Sequence, residues 1–176
     1  MSDTNRTTWD FLADTYWYVT TPDLPALQFS ADDDLLAWKC DQTVWHISGY
    51  KNGYFWGVSS ALVLTPDESG TKRAETPQQR SMVGTVTADG RVQITFVSSG
   101  RRNESIITGF GSMTKIGERW VFQMQMTTGF GDSQTLHWAN MMQTQEGDAS
   151  WENLPGVNCS VPAMLEGASY PKFDAE

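Results

Sequence analysis

The 176-residue sequence has little cysteine and little positive charge. Its two cysteines, Cys40 and Cys159, are too few for a disulfide framework, and neither belongs to a CxxC or Cys/His spacing that would hold zinc. Lys plus Arg number 12 against 21 Asp plus Glu, a formal charge of −9. Because nucleic acids and anionic membranes both attract clustered Lys and Arg, we expect neither as a partner.

Long apolar runs and targeting signals are also missing. No stretch reaches the roughly 20 apolar residues of a membrane helix. Residues 1–19 lack the basic segment followed by an apolar segment that marks a secretory signal. These absences predict a cytoplasmic protein. No linker divides the chain, and its length suits one core, so residues 1–176 are predicted to form a single domain.

The standard catalytic signatures are absent from the sequence as well. It contains no GxSxG elbow, no P-loop, no HExxH and no GxGxxG that opens a helix. No cofactor and no metal are therefore predicted. The GFG triplets at 109–111 and 129–131 are interpreted as bends in strands rather than as phosphate-binding loops.

What the sequence does contain is a strong hairpin signal between Asp41 and Leu64. Two β-type runs are joined there by Asn52-Gly53, the pair that a type I′ turn favours because it needs positive φ at both central residues. Counting back from this turn without interruption pairs Trp45 with Ser60.

The side-chain period of two then sorts this hairpin onto two faces. One predicted face carries Thr43, Trp45, Ile47, Trp56, Val58 and Leu62. The other carries Val44, His46, Ser48, Tyr50, Phe55, Ser59 and Ala61. Neither face is charged, so both are expected to be covered, as in the wall of a barrel around a small-molecule cavity. Which face points inward is left open.

The rest of the chain follows the same pattern. Thr7-Thr8 precedes a short predicted helix over 9–13 that packs on the barrel or plugs one end, and 15–20 reads as the first strand. Further hairpins turn at Asp89-Gly90, as a two-residue turn, and around 116–118. Short turns at this spacing predict an all-β, antiparallel up-and-down barrel of the calycin or lipocalin type, with an irregular C-terminal tail that wraps it.

Four side chains are candidate catalytic groups. His46 and His137 are the two histidines, and an imidazole in a water-poor cavity can act as a general acid or base. Tyr16 and Tyr18, two residues apart, point to one side of a strand and could grip a carboxylate or phenolate. The alternatives are hydrogen-bonded wall histidines and an aromatic ladder. Asp41 is interpreted as a capping or surface carboxylate.

Other side chains near these positions could bind a ligand. Arg80 lies near a strand end, where it could pair with an anionic group, although such arginines are usually solvated. The aromatic residues could stack on a ring. The predicted binding residues are Tyr50, Trp45, Trp56, Phe55, Arg80 and Trp138.

The hairpin also resembles a known family. The pattern Asp41-Gln42-Thr43-Val44-x-x-Ile47-x-Gly49, after FLADTYWYV, is similar to the opening of the phenolic acid decarboxylases, over residues 11–63. The resemblance implies a small lipocalin-like barrel that works without a cofactor and grips its substrate with Tyr16 and Tyr18. The family's arginine and catalytic glutamate have no counterpart here. The resemblance therefore implies the barrel and a similar kind of site, but not the decarboxylation itself.

Two functional hypotheses follow. The first is a cofactor-independent lyase that acts by acid–base chemistry at the phenol of a phenylpropanoid or lignin-derived compound. The second is a non-catalytic carrier or sensor of an apolar ligand, which needs only an apolar cavity. The partner in both is a small aromatic or apolar molecule, and whether the chain forms a homodimer is left open.

Overall fold

The computed structural model describes most of the chain, in seven ranges: residues 9–21, 26–30, 35–66, 72–74, 76–98, 106–130 and 133–172. A 3₁₀ helix over Asp10–Leu12 comes first. The strands of the described ranges are β1 (Thr15–Val19), β2 (Ala26–Ser30), β3 (Leu35–Lys51), β4 (Tyr54–Pro66), β5 (Lys72–Ala74), β6 (Gln78–Val86), β7 (Arg91–Ser98), β8 (Ile107–Ile116), β9 (Arg119–Phe130) and β10 (Ser133–Thr144). Two short helices follow, α1 (Ala149–Glu152) and α2 (Val161–Leu165).

The strands form the closed up-and-down barrel that the sequence predicts. All pairings are antiparallel, and the neighbours run β3, β4, β6, β7, β8, β9 and β10, with β5 paired only to β4. β1 and β2 share one position, since each pairs with both β3 and β10. The wall therefore has eight strand positions. Closure leaves no edge along the meander, which explains how strands of 8 to 17 residues stay paired on both sides.

The hairpin turn at Asn52-Gly53 is confirmed. Both residues have positive φ, 53° and 86°, as a type I′ turn requires. The predicted register holds from Lys51 to Gly49 and then fails, because the register shifts between Ile47 and Gly49. The bulge at Ser48 adds one residue to β3 alone.

The bulge corrects the predicted faces of the hairpin. Trp45 pairs with Ser59 rather than with Ser60. Thr43 and Trp45 consequently face the interior together with Ser59 and Ala61, which the uninterrupted count had placed on the opposite face. Val44 and Leu62, on the outer face, pack against the C-terminal tail.

One half of the barrel is filled with side chains and closed by the N-terminal 3₁₀ helix. Its packed interior includes Trp17, Ile47, Phe55, Met82, Ile94, Phe122 and Met124. Trp9 and Leu12 complete this core, and the Trp9 Nε1 donates to the Thr87 carbonyl oxygen at 2.9 Å. The expected plug is therefore present, although Thr7-Thr8 lies outside the described residues.

The turns at this closed end differ in one detail from expectation. Thr87 N donates to the Arg91 carbonyl oxygen, so the loop between them is three residues long, with Gly90 at φ 84°. The two-residue turn predicted at Asp89-Gly90 is wrong in length, because a three-residue loop ends in a left-handed residue that glycine supplies as readily.

The C-terminal tail wraps the barrel, as expected, and carries α1 and α2. Leu154, Val161 and Met164 pack on Val44 and Leu62, which point out of the barrel wall. This second core explains why both faces of the hairpin are apolar. No helix within the described ranges is long and apolar enough to span a membrane.

Candidate functional site

The half of the barrel opposite the Asn52-Gly53 turn contains a partly open cavity of about 320 Å³. Small residues such as Ala26, Ala61 and Ala139 line it, whereas the closed half is filled by large ones. Most of the wall area is apolar, although ten of the lining side chains are polar or charged. The polar and charged side chains along it are Gln28, Lys39, Asp41, Thr43, Ser59, Gln78, Arg80, Thr128, Thr135 and His137.

Asp41 and His137 form an ion-pair contact on the cavity wall. The His137 Nδ1 lies 3.6 Å from the Asp41 Oδ1, and the two side chains are 17% and 14% exposed. The second oxygen, Oδ2, accepts a hydrogen bond from the Thr43 Oγ1 at 2.8 Å, which fixes the carboxylate. The 3.6 Å contact is longer than a hydrogen bond. Nδ1 is the ring nitrogen nearer the carboxylate, and the neutral tautomer protonated there has Nε2 as its acceptor nitrogen.

An aromatic group forms the inner end of the cavity. Trp45, on the same face of β3 as Asp41 and Thr43, is 1% exposed. Its ring lies 5.5 Å, between centroids, from the ring of Phe96 and also from that of Phe122. Aromatic pairs at this spacing hold one another in place, so this part of the cavity wall is rigid.

Two cations also line the cavity. Lys39 lies on β3 and Arg80 on β6, and the Arg80 Nη1 donates to the Ser98 Oγ at 3.1 Å. In a chain of net charge −9, two cations at one cavity favour a ligand with an anionic or strongly polar end.

The predicted site residues separate into three places. His137, Trp45 and Arg80 meet at the cavity, as expected for one site. Phe55 and Tyr50 belong to the packed, closed half, where Tyr50 accepts a hydrogen bond from Gly53 N at 3.1 Å.

The other predicted residues face outward, which corrects the expectation that they join the cavity. Tyr16 and Tyr18 pack against the outer core under the tail, Trp56 alternates with the inward Phe55, and Trp138 is 53% exposed. His46 is on the outer face too, because it alternates with Trp45. A ligand held in the cavity cannot contact these side chains.

His46 instead belongs to a cluster on the outer wall. Its Nδ1 lies 2.7 Å from the Tyr170 Oη, and its Nε2 lies 3.1 Å from the Asp14 Oδ1. Burial lowers the pKa of His46, and the Asp14 carboxylate opposes this change in part. Burial raises the pKa of Tyr16 and of Tyr170, and the charge of Asp14 adds to both increases. The arrangement favours a neutral imidazole that holds the tail to the barrel.

Sequence reasoning undervalued Asp41. The structure places it inside the long strand β3 rather than at a strand start, with Thr43 and Trp45 on the same face. That i, i+2, i+4 spacing was readable in the sequence. The proximity to His137 was not, because β2 lies between β3 and β10 in the barrel.

Comparison with protein-family models, with curated proteins and with solved structures finds no match for this chain. The likeness to phenolic acid decarboxylases is therefore supported at the level of the barrel alone. Among the described residues, no three His, Cys, Asp or Glu side chains are grouped as metal ligands.

Proposed function

We propose that the protein binds a hydroxylated aromatic molecule inside the barrel and acts on it as a cofactor-independent lyase. His137 is the acid–base group in this proposal, and Asp41 orients it. The observation that carries the proposal is the His137–Asp41 pair on the wall of a cavity whose surface is mainly apolar. A paired imidazole at such a position is suited to moving a proton near neutral pH.

The size and chemistry of the cavity support an aromatic ligand. Its 320 Å³ matches the lower end of small-molecule sites and holds the volume of about ten waters. Trp45 and Phe96 supply the aromatic part of the lining, and Met126 contributes a thioether of the kind that contacts aromatic edges well. A single-ring compound with a short side chain fits these features.

The proposed reaction begins at the phenol. His137 Nε2 accepts the phenolic proton, and the phenolate electron pair moves through the ring to expel a hydroxyl from the benzylic carbon. The hydroxyl leaves as water with a proton from the solvent at the open side of the cavity, which gives a quinone methide.

The neighbouring carbon then loses a proton to solvent, its bonding electrons restore the ring, and His137 returns the phenolic proton to the phenolate oxygen. In a carbon–carbon version, a carboxylate on that carbon leaves as carbon dioxide instead of the proton. The apolar wall strengthens each polar contact along this path, because little water competes for it.

A panel of 4-hydroxylated aromatics with a benzylic oxygen tests the proposal. Products are followed by liquid chromatography with mass detection, and binding is followed by tryptophan fluorescence. We expect turnover of some phenols, binding without turnover of their O-methyl ethers, and a loss of about 10²- to 10⁴-fold in kcat for His137→Gln. Asp41→Asn should also lower kcat.

His46→Gln is the matched control, because it removes the other histidine of the chain from the outer wall. It should leave turnover unchanged. Absence of turnover across the panel, or full activity in His137→Gln, would overturn the proposed lyase.

A carrier of an apolar ligand is the second candidate. The observation that favours it is the mainly apolar wall, which binds a ligand without any chemistry. Tight binding of the phenols together with their O-methyl ethers, without products and without a change in His137→Gln, would establish this function instead.

A further inference from the structure

The outer surface of the barrel carries an exposed apolar face on β2, β3 and β10. We define the apolar face as Phe29, Leu36, Trp38, Leu136 and Trp138, all of which are 40% to 65% exposed. Scattered apolar residues are normal on a protein surface, but two tryptophans and two leucines on adjacent strands are not scattered.

The strand register brings these side chains together. Leu27 of β2 pairs with Trp38 on one side and with Leu136 on the other, so the three form one row across the strands. Phe29 pairs with Leu36 in the next row. Trp138 follows Leu136 by two residues and therefore points to the same side of β10. The apolar face is one continuous patch.

On the side of β9 and β10, the apolar face is bordered by neutral side chains. The outward positions beside it on β9 and β10 are Gln125, Thr127, Gln134 and Asn140, which alternate with inward residues of the same strands. On this part of the described surface, no charged side chain stands between the apolar residues of β10 and those neighbours. For a chain of net charge −9, a neutral area of this size is informative, because interface centres are depleted of charge.

We propose that the protein forms a symmetric homodimer through the apolar face. The five side chains expose on the order of 500 Å² of apolar surface, at about 150–250 Å² for a fully exposed large side chain. Two copies would bury about 1,000 Å² if these residues were fully covered, which reaches the lower limit for a specific interface before the surrounding residues add to it. A twofold axis uses the same patch on both copies, so no second surface is needed.

Charge favours a second copy over other occupants. Two chains of −9 repel each other unless they meet where neither presents charge, and the apolar face is such a place. An anionic lipid surface would instead be repelled by the chain as a whole. The dimer interface would also lie directly outside the proposed site, because His137 faces the cavity and its neighbours Leu136 and Trp138 on β10 face outward.

Sedimentation equilibrium of the full chain tests the dimer. We expect a mass twice that of the 19.7 kDa chain at micromolar concentration. Leu136→Glu should give a monomer, because it places a charge on each side of the twofold axis. Val83→Glu is the control: Val83 is 50% exposed but lies on β6, across the barrel, and the dimer should persist.

Added salt provides a second measurement that needs no variant. Salt screens the repulsion between the two −9 chains, so the dimer should tighten as salt rises, whereas an interface held by ion pairs would weaken. Hydroxyl-radical labelling of the wild type should show Trp38 and Trp138 protected, and dilution should remove the protection. A monomeric wild type, a dimer that Leu136→Glu leaves intact, or a monomer that binds lipid vesicles would each overturn the proposal.

Discussion

The rings of His46 and Tyr16 stack face to face on the outer wall, with centroids 4.0 Å apart and planes 11° from parallel. The two residues are direct cross-strand partners in β1 and β3. Tyr170 from the tail approaches the other edge of the imidazole. This stack joins the first strand, the barrel wall and the C-terminal segment at one titratable group.

The first prediction concerns the pH dependence of stability at His46. Burial lowers the pKa of the folded-state imidazole below the unfolded value of about 6.5, so between the two values the unfolded chain binds more protons. The contribution of His46 is therefore complete above about pH 6.5 and is lost as pH falls through the folded-state pKa. Urea unfolding of the wild type should show this loss.

The comparison with His46→Gln isolates the effect from the other groups that titrate. The variant should have a flatter dependence of the free energy of unfolding on pH over the same window. Asp14 and Tyr170 are the polar groups that face the imidazole, and Asp14→Asn should lower the pKa of His46 further, as NMR titration of the ring would show. Identical pH profiles for the wild type and His46→Gln would contradict this prediction.

The second prediction concerns Gln42, which is completely buried on the outer side of β3. Its Oε1 accepts from Val19 N and Thr43 N, and its Nε2 donates to the Val19 and Pro155 carbonyl oxygens at 3.0 and 2.8 Å. Gln42→Leu keeps the size but leaves these partners unsatisfied, at about 1–3 kcal/mol for each buried group.

We therefore expect Gln42→Leu to lower the free energy of unfolding by about 3 kcal/mol or more in denaturant titrations. The matched control is Gln93→Leu, at an exposed position of β7, which should change stability by less than about 0.5 kcal/mol. Equal effects of the two substitutions would show that the Gln42 bonds contribute little.

The third prediction is that alanine is tolerated in one GFG triplet and not in the other. A Cβ added at Gly111 would lie 1.9 Å from the Gln123 carbonyl oxygen, so the backbones of β8 and β9 would have to move apart. Gly111→Ala should cost more than about 4 kcal/mol or prevent folding. At Gly129 a Cβ meets nothing within 4 Å, and Gly129→Ala should be neutral in thermal unfolding. Normal stability of Gly111→Ala would contradict the close approach.

The fourth prediction tests the cavity through its volume. Ala61 lines the cavity opposite Thr43, and Ala61→Leu would place three carbons in empty space without disturbing the packed half. Binding of phenolic ligands should be lost while the fold is retained. A ligand at 100 times its dissociation constant stabilises the wild type by about 2.7 kcal/mol, and this gain should vanish in the variant.

Ala163→Leu, at an exposed position of α2, should keep both the fold and the ligand response. If Ala61→Leu binds and responds as the wild type does, the ligand does not occupy this cavity.

Local chemistry made much of the fold predictable. The turn at Asn52-Gly53 needs positive φ at two adjacent residues, and Asn and Gly are the residue types that adopt it most readily. Phe122, Met124 and Met126 alternate with Val121, Gln123 and Gln125 in the sequence of β9, and all three belong to the packed interior. Because short turns between alternating β-type runs recur along the chain, the sequence predicts an antiparallel barrel.

The site was less predictable, for three physical reasons. The bulge at Ser48 carries no sequence mark, so counting through it exchanged the two faces of β4. Both faces of the hairpin are apolar because the tail covers the outer one, so hydrophobicity could not say which is inside. The contact between Asp41 and His137 depends on barrel closure, which no local pattern encodes.

The extra residue in β3 also determines which chemistry the interior receives. Along this strand one set of side chains supplies Asp41, Thr43 and Trp45, and the alternate set supplies His46 and its apolar neighbours. Without the bulge, pairing from the Asn52-Gly53 turn would shift β3 by one residue. Every side chain of β3 before Ser48 would then move to the opposite face, so the inward and outward sets would be exchanged. A single insertion or deletion near Ser48 is thus a route by which this barrel could acquire a differently equipped interior in one mutational step.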